Sequence, residues 1–344
     1  MQVGNVARVA IVGWAALLLA GASNPVSAQG KAVIESSTNT IEILGLRAWT
    51  LDMLNDSLRK KVGFDFNSAD AHACAAELRY KLGFADAAAI TFANRETGKS
   101  RTLVTLTEPQ DSARIKYRDM PLDTLGGSAA WASARTILRT RPRVFQFAVM
   151  TALARTDTSR LPQSMWSDWW AIRETWGFLD ANTTPAARHA AILALESEPN
   201  IYDRQIAAAI LVNFGKDDAT WIALSQALLE REGSAKFVAL LVMNALVSAK
   251  ARPSDWSVVA PAVHAVLDGT SQFMMLDLMA LLNKVKPGPA MSRPFLKGGG
   301  SMLLAYAGSG VPRARDPALD VLRSLRGKDL GKDINAWRKW VASL

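Results

Sequence analysis

A single cysteine, Cys74, stands in 344 residues, so no internal disulfide can form and packing alone must hold the fold. Histidine is nearly as scarce, with only His72, His189 and His264. None of the three lies in a His-x-x-x-His or Glu-x-x-His spacing, which removes the common helical zinc sites. His72 and Cys74 are two positions apart, and on a helix such positions point to nearly opposite sides. They can neither share a metal nor work as nucleophile and base. Cys74 reads as a small buried helix residue with His72 at its margin. Catalytic residues, cofactors and metals are therefore all expected to be none.

No apolar run reaches the ~20 residues of a comfortable membrane span. The run from Val9 to Ala20 follows one early cation, Arg8, and precedes the small residues Val26, Ser27 and Ala28. That pattern predicts a cleaved export signal over residues 1–28, with an uncleaved anchor as the alternative. The protein is then expected to be periplasmic or secreted. Its formal charge of +9, about +8 without Arg8, favours anionic contacts. An exported chain rarely meets nucleic acid, so the expected partner is a protein of the cell envelope. An anionic membrane surface or a wall polymer is the alternative.

What the chain does contain is apolar residues in two different rhythms, 49% of the whole. Residues 40–46, TIEILGL, begin as an alternating, half-buried strand. Thr50 then caps a helix carrying Leu51, Leu54 and Leu58, and a second helix spans 71–82 until Gly83. DAAAITFANRETGKSRTLVTLTEP follows as two strands around a polar turn. The order predicted for residues 33–118 is β-α-α-β-β. With its Leu82-Gly83-Phe84-Ala85-Asp86 turn and terminal Glu108-Pro109, this α+β unit resembles a POTRA domain. The resemblance implies a periplasmic module that offers a sheet edge or helix face to other polypeptides. No barrel follows it here.

Residues 126–344 read as helix after helix, at 129–138, 144–154, 164–179, 185–195, 202–214, 219–232, 235–249, 255–267, 272–285, 301–307, 317–325 and 334–341. Short connectors such as GKDD, EGS and DGTS predict antiparallel neighbours. Two stretches echo one another, with Trp221 and Trp256 in matching places. The region resembles an all-α, HEAT-like solenoid of helical hairpins. Its close, GKDINAWRKWVASL, is similar to the segment that ends exported bacterial HEAT-repeat proteins.

Three chemical motifs fail on their context. Ser57-Leu58-Arg59-Lys60 has the Ser-x-x-Lys spacing of penicillin-binding enzymes without its companion elements. KGGGSM at 297–302 lacks the strand and the Gly-Lys-Ser/Thr order of a phosphate loop. Glu196, Glu198, Asp217 and Asp218 lie near turns, but nothing in their spacing pairs them for acid–base work. Two clusters remain as candidate interaction sites. Trp169 and Trp176 share one helix face with Trp166 and Trp170 adjoining, which suits either a packed core helix or an exposed platform for peptide or sugar beside Arg173. Arg135, Arg139, Arg141 and Arg143 suit either a solvated surface or an anionic docking site. The expectation is a non-catalytic exported scaffold. An envelope hydrolase and an electrostatic binder of anionic lipid or wall polymer are the alternatives.

Overall fold

Thr50 converts a strand into a helix. Its hydroxyl accepts the Met53 N–H and so opens α1 (Leu51–Val62), which Gly63 closes in the left-handed region at φ 84°. The computed structural model describes residues 30–93, 98–120, 127–155, 162–231 and 234–344. The expected signal, residues 1–28, lies outside the described residues, as do 94–97 of the expected hairpin turn.

A four-stranded sheet is followed by a mostly helical region. The sheet holds β1 (Gly30–Glu35), β2 (Asn39–Leu46), β3 (Asp86–Ala93) and β4 (Ser100–Thr107) in the order β1-β2-β4-β3. β3 and β4 form the expected antiparallel hairpin, and β2 runs parallel to β4. The expected β-α-α-β-β order is one strand short, because β1 pairs antiparallel with β2 along its other edge. Ala32 and Ile34 of β1 are half-buried beside the exposed Lys31 and Val33, a short alternation.

The alternation in β2 does not expose a polar face. Ile41 and Ile43 pack under α1 and α2 (Ala71–Tyr80) with Leu54, Leu58, Cys74, Leu78, Val104 and Leu106. Leu44 and Leu103 point the other way, into the core of the helical region. Both faces of the sheet are therefore covered, and β2 is a central strand rather than a half-buried one. Glu42 is buried with them, its carboxylate accepting from Ser309 Oγ at 3.1 Å and Gly310 N–H at 2.8 Å.

The helical region comprises α3 (Ala132–Thr140), α4 (Pro142–Thr151), α5 (Trp169–Ala181), α6 (Pro185–Ser197), α7 (Ile201–Ile210), α8 (Asp218–Ala227), α9 (Ala235–Ser248), α10 (Ala260–Asp268), α11 (Met275–Val285), α12 (Ser292–Leu296), α13 (Ser301–Ala307), α14 (Pro312–Arg326) and α15 (Ile334–Ala342). Chain neighbours such as α6 with α7 and α8 with α9 pack together, while α7, α9, α11 and α14 contact in succession. Among the described residues no single helix is long and apolar enough to cross a membrane.

Two expectations about these helices need correction. α14 starts at Pro312 rather than Pro317, which sits inside it. Proline inside a helix forfeits one backbone bond, but burial of Ala314, Ala318, Val321, Leu322 and Leu325 along one face carries the helix through it. The DGTS connector does not reverse the chain: the helical stretches on either side of it meet at 105°. Tertiary bonds fix that angle. Ser271, left-handed at φ 53°, donates its N–H to Tyr117 Oη at 3.0 Å and its hydroxyl to the Leu228 carbonyl at 2.7 Å.

A repeat not paired in the sequence reading also emerges. Gly215-Lys216-Asp217…Trp221 and Gly331-Lys332-Asp333…Trp337 share one spacing and one set of bonds, although Gly215 is right-handed at φ −65° and Gly331 left-handed at φ 71°. In each, the Asp side chain caps the helix and the indole N–H donates to the Gly carbonyl at 2.9 Å. Trp221 and Trp256, the pair expected in matching places, touch edge to face at 5.5 Å.

Candidate functional site

Asp86, at the start of β3, is the hub of the contact between sheet and helices. It is buried, and its Oδ2 accepts from Tyr117 Oη at 2.7 Å and Gln272 N–H at 3.1 Å, with Arg79 Nε 3.5 Å from Oδ1. Burial, reinforced by the Asp86 charge, pushes the Tyr117 hydroxyl well above the usual phenol range. It therefore stays protonated and bridges Asp86 to Ser271. Gln272 Nε2 also donates to Thr107 Oγ1 at 2.8 Å.

The segment after β4 completes the junction. Lys116 N–H donates to Thr270 Oγ1 at 2.9 Å, and Arg118 N–H donates to the Leu229 carbonyl at 2.6 Å. Arg118 and Arg204 flank the buried Glu230 at 3.5 and 3.3 Å. Burial raises the Glu230 carboxyl while both guanidiniums pull it down.

Beside this junction, among the described residues, the outer edge of β3 carries no further strand. A cavity of 350 Å³ lies along it, lined by Ala87, Ala88 and Ala89 of the strand itself. Tyr80 and Arg79 of α2 wall it from one side of the sheet; Phe237 and Phe273 wall it from the other. A space bordered from both faces of a sheet lies off its edge, where an added strand would sit. Tyr80 and Phe273 are 66% and 52% exposed, so their rings stand at the mouth rather than in the core. Phe237, edge to face with Phe273 at 5.6 Å, also lines a second cavity of 440 Å³ between α4, α9 and α11.

Edge strands are usually blunted by Lys, Pro or inward charge. β1 carries Lys31 and Glu35, whereas β3 from Ala87 to Ala93 holds no charge and no proline. β3 is thus the edge without such a guard beyond its start, where the Ala87 N–H is taken by Asp86 Oδ1 at 3.0 Å.

The tryptophan cluster divides between the two readings offered for it. Trp176 is buried, donates to the Ala148 carbonyl at 2.9 Å and meets the half-buried Trp169 edge to face at 5.5 Å. Trp166 and Trp170 are 58% and 50% exposed, and Arg173 is exposed beside them. The arginines divide too, which corrects the notion of four cations on one free surface. Arg135 is held by the fully buried Asp203 at 2.7 Å, and Asp203 also accepts from Ser128 N–H. Arg141 pairs with Asp168 at 2.7 Å and lies over the Trp170 ring at 5.1 Å. Arg139 and Arg143 are the two left exposed. The partner carboxylates are 27 and 68 residues away in sequence, so local spacing carried no sign of them.

The chemical groups are dispersed. His72 Nε2 contacts Thr91 Oγ1 at 3.0 Å and His264 Nδ1 the Phe295 carbonyl at 3.1 Å. Asp217 caps α8 and pairs with Arg188, while Asp218 is held below the usual carboxylate range by the hydroxyl and N–H of Ser254. Asp218 is therefore not tuned as a general acid. Burial, with Asp65 and Asp70 nearby, pushes the Cys74 thiol up to about 12. Thiolate is the reactive form, so Cys74 should resist iodoacetamide at pH 8 in the folded protein and react fully in urea. Mass spectrometry reads both, and rapid labelling without denaturant would contradict the burial.

The chain matches no protein-family model, no curated protein and no solved structure.

Proposed function

We propose that the chain is a non-catalytic exported scaffold that binds an extended segment of an envelope protein by adding it as a strand beside β3. The observation that carries this reading is the uncharged outer edge of β3 opening onto a preformed 350 Å³ cavity with aromatic walls. Main-chain bonds to the edge supply affinity, and alternate side chains of the added segment enter the pockets on either face. The β2–β4 parallel pair with α1 and α2 over one face supports a POTRA-like unit, and the succession of packed helix pairs supports a HEAT-like solenoid behind it. Export rests on the leader pattern of residues 1–28.

The test is a displayed library of linear peptides panned against the whole chain. Enriched peptides should bind wild type and lose about tenfold or more in Tyr80→Glu/Phe273→Glu, a loss worth ~1.4 kcal/mol. Amide exchange along residues 89–93 should slow when they bind. No enrichment, or equal binding to the double variant, would refute strand addition at this edge.

A further inference from the structure

Four cations from four separate elements meet at another cavity. Arg47 leaves the turn between β2 and α1, Arg114 ends the short helix Pro109–Arg114, Lys297 follows α12, and Arg338 lies in α15. The cavity holds 470 Å³, and no Asp or Glu among the described residues lines it. Beyond Ser301 and two glycines its remaining wall is apolar, from Leu304, Val341, Ala342 and Leu344. It shares no lining residue with the groove at β3.

Two of the cations are fixed from behind. Arg47 Nη1 lies 2.5 Å from Asp111 Oδ1, and Arg114 donates to the Asp268 carbonyl at 2.9 Å with its Nε 3.4 Å from Asp268 Oδ2. The other two keep their charge. Lys297 has no carboxylate partner among the described residues, and Arg338 bonds the neutral Asn335 side chain at 3.1 Å. Arg47 and Arg114 come with Asp111 and Asp268 behind them, so the excess charge at the opening rests on Lys297 and Arg338.

The glycine loop is seated against α10. A Cβ on Gly299 would come within 2.5 Å of His264 Cε1, so only glycine lets the loop lie down on α10. Ser301 N–H donates to Asp268 Oδ1 at 3.0 Å and ties the far end of the loop to the carboxylate that anchors Arg114.

We propose that this cavity binds an anionic amphiphile, a phosphate or carboxylate head among the four cations with an apolar chain against Leu304 and Val341. Guanidinium groups match phosphate and carboxylate in a fixed fork. The volume falls within the ~300–1,000 Å³ of small-molecule pockets. An apolar wall beside the charges lowers the local dielectric and strengthens their pull on the head group. A free anion would leave that wall unused.

The whole chain is titrated with octyl phosphate, inorganic phosphate and octyl glucoside by calorimetry, and sedimented with vesicles containing phosphatidylglycerol. Octyl phosphate should bind about tenfold or more tighter than either control, and Lys297→Gln/Arg338→Gln should weaken it about tenfold. Both side chains lie outside the carboxylate network, and unchanged thermal melting verifies the fold. Ala342→Glu, which adds an acid at the exposed rim, should abolish binding. Sedimentation with vesicles places the head group in a membrane; octyl phosphate binding without it makes the ligand a soluble amphiphile. Equal affinity for inorganic and octyl phosphate, or unchanged binding in both variants, would overturn the proposal.

Discussion

Trp221→Ala is expected to lower the unfolding free energy by about 3–5 kcal/mol, the range for removing a large buried aromatic. Trp221 is fully buried where α8, α9 and the Trp256 turn meet, and its indole N–H satisfies the Gly215 carbonyl. Alanine would lose the packing, leave a cavity too well framed to collapse, and strand that carbonyl. Trp221→Phe should recover part of the loss by filling space without restoring the hydrogen bond. Urea unfolding of the three proteins measures this, and an alanine variant within ~1 kcal/mol of wild type would show that the repeat turn is not structural.

Glu108→Ala is the second change with a large expected cost, about 3 kcal/mol, from three part-buried donors at the low end of ~1 kcal/mol each. Glu108 is fully buried, and its carboxylate accepts the backbone N–H groups of Arg47, Ala48 and Trp49 at 2.7, 2.9 and 3.0 Å. Those donors form the turn that carries the chain from β2 into α1, so one side chain stands in for a missing strand neighbour. Glu108→Gln removes the charge but keeps one oxygen within reach of all three N–H groups, leaving the amide nitrogen opposite Gln110, and should cost less than alanine. Chemical denaturation gives the magnitude. Loss of the β2–α1 turn before the helical region would appear as early amide exchange at residues 47–49.

Glu108 shows how far the sequence was legible. Glu-Pro at the end of the last strand was visible as a motif, but its physical work, collecting three N–H groups from some sixty residues away, was not. Asp86 behaves likewise: it closed a recognisable turn, while its bonds to Tyr117 and Gln272 tie elements 31 and 186 residues apart. β1 went unread because six residues with two half-buried positions give too weak an alternation. Of the candidate surface residues, Trp166, Trp170, Arg139, Arg143 and Arg173 are exposed, whereas Trp176 and Arg135 are spent on burial and an ion pair.

By itself the sequence determined the class of each region and most of its elements, because apolar period, caps and glycine stops act over a few residues and are written locally. It also determined that no disulfide holds the fold. The tertiary structure alone decided that both faces of the sheet are covered, that the DGTS turn bends rather than reverses the chain, and which cations are free. Those outcomes depend on carboxylates, hydroxyls and carbonyls brought from distant parts of the chain, and neither hydrophobic rhythm nor motif spacing encodes which of them will meet.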